Sequence, residues 1–100
     1  MAEITIEGQS YPLRASIGAY RAFEESSGVR VAEVDTNDMI RVVELLWHFA
    51  KAGCKHEDVK FEVSLEDWFD SITVDQLPYL AETIVALMAK KKKAAAKASH

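Results

Sequence analysis

The chain has 100 residues, enough for one domain and too few for two. Apolar residues make up 49% of it, the globular average, which excludes disorder over most of its length. Seven cations against sixteen acids give residues 1–89 a charge of −9, and five lysines in residues 90–100 bring the chain to −4. An acidic body repels nucleic-acid phosphates and anionic lipids, so neither is an expected partner.

No apolar run reaches the ~20 residues of a membrane span, because Arg41, Glu44 and His48 interrupt the most hydrophobic stretch. The first seven residues hold two acids and no Lys or Arg, unlike a secretory signal. The lone Cys54 has no internal disulfide partner, which fits a reducing cytoplasm.

Residues 3–15 read as a β-hairpin. Ile4 and Ile6 alternate with polar neighbours, residues 7–10 supply a turn with a permissive Gly8, and Tyr11 and Leu13 resume the alternation. Pro12 lacks a donor and so belongs at a sheet edge. A hairpin alone is marginal, so this one must lie on helices.

Ser16 caps a short helix with Ile17, Tyr20 and Phe23 at spacing three, and Gly28 stops it. Residues 29–34 form a brief apolar connector or a third strand. Asp35 or Thr36 opens the longest helix, about residues 37–52, with Gly53 as its stop. Arg41, Glu44, His48, Lys51 and Lys55 form one narrow polar stripe along it, and the rest of that helix is apolar. Such a helix is surrounded, either by its own domain or by a partner.

Residues 56–63 read as a charged loop, with a short extended piece at 60–63. Ser64 caps a third helix whose Leu65, Trp68, Phe69 and Ile72 follow the i, i+3, i+4, i+7 pattern. Thr73 and Gln76 make a capping box for a last helix. Its apolar face carries Leu77, Leu80, Ala81, Ile84, Leu87 and Met88, and Pro78 falls in its first turns. The expected class is α+β, mostly α: an N-terminal hairpin on a small bundle of about four helices. Residues 1–89 form the domain, and residues 90–100 a Lys/Ala-rich flexible tail, helical in part.

Signs of chemistry are few. His48, Cys54 and His56 are the soft metal ligands of residues 1–89, and their spacings of six and two match no zinc pattern. Glu66 and Asp70, four apart, read as a solvated acidic face, as do Glu24 and Glu25. No phosphate loop and no nucleophile elbow occurs. The expectation is a binding protein with no enzyme activity, no cofactor and no metal.

Two stretches carry a family resemblance. ITIEGQSYPLR (residues 4–14), followed by IGAYRAFEE (residues 17–25) and Gly28, resembles the opening of the tail assembly chaperones of long-tailed, siphovirus-type phages and prophages. The Leu-Leu-Trp helix, Ala52-Gly53, SLEDWFD (residues 64–70) and the closing amphipathic helix are similar to the rest of that family, over residues 3–88.

The resemblance implies a cytoplasmic chaperone, absent from the mature virion, that coats the tape-measure protein and helps recruit tail-tube protein. The family has no catalytic residue and no cofactor. It also implies a ribosomal frameshift near the Lys90–Lys93 codons, which appends a domain to part of the product. Leu46, Trp47, Phe49 and Trp68 are the residues expected at the partner contact, and self-association into a homo-oligomer is a further expectation. Rival readings are a tail-completion or head–tail connector protein that stays in the particle, and a small regulatory protein.

Overall fold

Alternating Ile4 and Ile6 do form the first strand of a hairpin. In the computed structural model, which describes residues 2–98 and the side chains of 2–88, β1 (Glu3–Ile6) pairs antiparallel with β2 (Gln9–Pro12). The register is Glu3↔Pro12, Ile4↔Tyr11, Thr5↔Ser10 and Ile6↔Gln9. Glu7 and Gly8 link the strands with φ of 51° and 78°, the type I′ geometry whose twist suits a hairpin. From a two-residue turn, ladder hydrogen bonds fall on the Ile6↔Gln9 and Ile4↔Tyr11 pairs. Pro12 therefore sits where its missing N–H faces outward and removes no ladder bond. Thr5 also turns its N–H outward, and the Tyr79 hydroxyl accepts it at 3.3 Å.

Helix α1 (Ile17–Ser27) opens with the Ser16 hydroxyl accepting the Ala19 N–H at 3.1 Å. It ends at Gly28, whose φ of 74° lets its N–H reach the Glu24 carbonyl. Ala19 and Phe23 are its buried residues, whereas Ile17, in the first turn and off the inner face, is exposed. The alternative of a third strand at residues 29–34 does not form. A 3-10 turn occupies Val31–Glu33 instead. The Glu24 carboxylate takes the Val31 N–H at 3.0 Å, and the turn satisfies the Glu33 and Val34 N–H groups locally, which withdraws three of the segment's donors from any ladder.

Helix α2 (Met39–His56) begins later and ends later than its sequence suggests. Asp35 is occupied with the Asn37 N–H, and Asp38 caps the helix by accepting from Arg41. Gly53 is not a stop. It is a buried helical residue where the backbone of β2 crosses, and the helix runs on to His56. Just past β2, the Arg14 N–H donates to the Phe49 carbonyl of α2 at 3.0 Å, a main-chain bond between hairpin arm and helix. Strand β2 and helices α1, α3 and α4 all pack on α2, with Tyr11 of β2 against Trp68 of α3 and Tyr20 of α1 reaching Met88 of α4.

Residues 57–64 are a loop without the short extended piece, tied down by Phe61 and Val63. Helix α3 (Leu65–Ser71) is capped by Ser64. The Thr73–Gln76 capping box opens a 3-10 turn, Val74–Gln76, that leads directly into α4 (Leu77–Ala98). Pro78 is the second residue of that helix, where its absent donor is harmless. Leu80 and Ile84 bury themselves in the core. The expected tail begins within α4, and its side chains and the last two residues lie outside the described residues. Among the described residues, one two-stranded hairpin and four α-helices make the fold α+β with helix dominant.

Candidate protein-binding surface

The four residues expected at a partner contact separate sharply. Leu46, Phe49 and Trp68 are each 0% exposed, so in this fold they offer a partner no surface. The physical reason is that α2 is surrounded: Tyr20 of α1 stacks on Phe49, and α3 inserts Trp68 beside Val43. The Trp68 indole N–H donates to the Val43 carbonyl at 3.0 Å, which satisfies its one polar atom in the core. Trp47 is half-buried. Its N–H donates to the Val63 carbonyl at 3.0 Å, its ring meets Phe61 at 5.8 Å, and the Lys51 ammonium lies 5.1 Å from its centroid. Trp47 thus holds the 57–64 loop to α2.

Exposed apolar area collects elsewhere, at the first turn of α2. Met39 is 46% exposed, Ile40 53% and Val74 72%. Between them runs a shallow apolar groove of about 100 Å³, floored by Val43, Phe69, Ile72 and Leu77. A second hollow of about 270 Å³ continues past Met39 towards Pro78 and Ala81. The groove exists because α3 is short and the capping box turns the chain into α4 without covering the start of α2. Exposed Asp38, Asp70 and Asp75 are chain neighbours of its lining residues. The signal in the sequence is local: Met39 and Ile40 directly follow the Asp38 cap, and Val74 follows the Thr73 cap, at positions where an element starts and coverage is thin.

The polar stripe of α2 turned out to face α1 rather than solvent over half its length. Glu44 and His48 are buried, whereas Lys51 and Lys55 are exposed. Ser26 of α1 reaches them: its hydroxyl lies 3.2 Å from Glu44 Oε2 and 3.1 Å from His48 Nε2. A hydroxyl has one hydrogen and a carboxylate has none, so Ser26 donates to Glu44 and His48 Nε2–H donates to Ser26. Arg41 closes the far side of Glu44 at 3.0 Å. Burial pushes the His48 pKa below its ordinary 6.5, Glu44 opposes that, and Lys51 adds to it.

Although Ser26, His48 and Glu44 are the residue types of a hydrolytic triad, their order is wrong for one. The carboxylate binds the serine hydroxyl directly instead of orienting the imidazole through Nδ1, so it competes for the proton that His48 would have to take. The arrangement is an interhelical clasp. Cys54, near the end of α2, is buried, and burial raises its thiol pKa. His56 accepts from the Arg14 guanidinium at Nδ1. Among the described residues no three His, Cys, Asp or Glu side chains converge as a metal site, and no helix is long and apolar enough to cross a membrane. Comparison with protein-family models, with curated proteins and with solved structures returns no match to this chain.

Proposed function

We propose that this protein is a phage tail assembly chaperone, which binds the tape-measure protein in the host cytoplasm, helps recruit tail-tube subunits, and leaves before the virion is complete. It works by protein binding without catalysis. The observation that carries this reading is the groove at Met39, Ile40 and Val74, the apolar opening of an otherwise acidic body. The order of elements and apolar anchors over residues 3–88, which resembles the family, supports it.

A tape-measure protein is a long helical chain with apolar stripes that would aggregate until a tube encloses it. The groove suits one occupant, an amphipathic helix that lays Leu- or Met-type anchors between α2 and α4. Asp38, Asp70 and Asp75 beside it favour Lys or Arg at the flanks of that helix.

The test is co-expression with a tape-measure protein, whose long helix-rich reading frame this reading expects beside the gene. The wild type should co-purify with it, and Ile40→Lys and Val74→Lys should lose it. Both sites are exposed, so stability should stay within about 0.5 kcal/mol of wild type. Retention of the partner by both variants would remove the groove from the function. Recovery of the protein from purified virions, by mass spectrometry, would favour a structural particle component instead. The same reading expects an A-rich slippery heptamer at the Lys90–Lys93 codons with an open −1 frame beyond it.

A further inference from the structure

The opposite end of α2 carries a cleft with a different character. Arg14, Lys51, Lys55 and His56 stand around an opening of about 660 Å³ between the start of α1 and the last turns of α2. That volume is in the range of small-molecule sites. Its floor is made of small residues, Gly18, Ala22 and Ala52 among them, which is why the cleft is open.

Charge makes it unusual in this chain. Residues 1–89 hold sixteen acids, and none of them lines the cleft, while three of their seven cations do. The two ion pairs among the described residues, Arg21–Glu25 and Arg41–Glu44, use none of those three. Lys51 and Lys55 are four apart on one helix, a like-charge spacing that disfavours the helix by itself. The negative end of the α2 dipole accounts for Lys55 and His56. It does not account for Arg14, which arrives from the hairpin arm 42 positions away and donates to His56 Nδ1. That bond leaves the His56 Nε2–H and the remaining guanidinium N–H groups as donors. The first turn of α1, starting at Ile17, adds main-chain N–H groups at its positive end.

We propose that this cleft binds a small free molecule carrying a phosphoryl group with two or more negative charges, such as a diphosphate. A single carboxylate offsets one of the three lining cations, whereas a diphosphate carries charge enough to offset all three. Guanidinium and ammonium donors lining one cleft from two elements suit such a group, and the Lys51 ammonium, which lies over the Trp47 ring, has a flexible four-carbon stem to reach it. The site is separate from the apolar groove, since Ile40 and Lys55 are about 22 Å apart along a helix rising 1.5 Å per residue.

Inorganic pyrophosphate is the probe, titrated by calorimetry into the full chain against a chloride control of equal ionic strength. Saturable one-to-one binding is expected. Lys51→Gln with Lys55→Gln should weaken it about tenfold or more, the loss expected for removing charge-assisted donors. Gly18→Glu gives the second arm. A Cβ there meets only the Ser16 hydroxyl, at 3.8 Å, and a first-turn acid favours the helix, so this variant should melt no lower than wild type and bind no pyrophosphate. Unchanged affinity in both variants overturns the site and assigns the binding to the lysines of residues 90–97. Absence of any saturable heat overturns it too, as does tight binding of single-stranded DNA that pyrophosphate cannot displace. Co-purification with a tape-measure segment should be unaffected by all three substitutions, so the two readings fail independently.

Discussion

The backbone of Pro12 lies so close to Gly53 that a Cβ on Gly53 would sit 2.1 Å from the Pro12 carbonyl oxygen and 2.9 Å from the Leu13 nitrogen. Both obstacles are main chain and neither can swing aside. Gly53 lies inside α2, where replacing Gly by Ala ordinarily adds about 1 kcal/mol of stability. Here the sign reverses. Gly53→Ala should destabilise the protein by about 1–3 kcal/mol or more, the range for overpacking a filled site. Urea unfolding will show it; a rise in the midpoint would mean that β2 does not rest on α2.

The two tryptophans should behave differently. Trp68→Ala removes a fully buried ring and should cost about 3–5 kcal/mol. Trp47 is half-buried and anchors a loop, so Trp47→Ala should cost clearly less. With Trp47→Phe, the remaining emission comes from Trp68 and should be blue-shifted and resistant to iodide. Strong quenching in that variant would place Trp68 at the surface and contradict its burial.

His48 gives a pH dependence. Its folded pKa lies below the 6.5 of the free side chain because burial disfavours the cation. The unfolded chain therefore binds the proton more readily. The stability held by neutral His48 is complete above pH 6.5 and is lost as pH falls from there towards the folded pKa. One proton sets a slope no steeper than about 1.4 kcal/mol per pH unit. His48→Gln should flatten the fall in melting temperature between pH 7.5 and 5.5. Equal slopes in the two proteins would remove His48 as the cause.

Glu7 adopts a φ of 51° at the first position of the hairpin turn, a conformation that disfavours its side chain. Glu7→Asn or Glu7→Gly should raise stability by about 0.5–1 kcal/mol by fitting the type I′ turn. A neutral or negative change, measured by denaturant unfolding, would mean that Glu7 makes an offsetting contact.

Local signals were legible wherever a residue acts through its own backbone. Ser16, Ser64 and the Thr73–Gln76 pair cap as their chemistry dictates, and Gly28 stops α1. In sequence, a glycine that stops a helix and one that admits a close approach look alike until the crossing strand is known, and Gly53 is of the second kind. The stripe of α2 was visible as a spacing, yet nothing in the spacing says that Ser26 covers Glu44 and His48. Core and surface among Leu46, Trp47, Phe49 and Trp68 likewise depend on which neighbours arrive from distant parts of the chain, 16 residues away for Trp47 and Val63 and 25 for Trp68 and Val43. Of the groove, only the apolar residues after each cap were readable; the gap between α3 and α4 that leaves them bare is tertiary.

The bond from the Thr5 N–H to the Tyr79 hydroxyl joins residues 74 apart in the chain, and Tyr20 reaches Met88 across 68. In a cell the polypeptide emerges from its N-terminus, at about 5–20 residues per second. The first strand is therefore made roughly 4–15 s before the helix that seals its outer edge, at that rate of synthesis. During that interval α2 is synthesised while the outer edge of β1 stays open. Its vulnerability to pairing with another chain is greatest on the ribosome, before Tyr79 arrives.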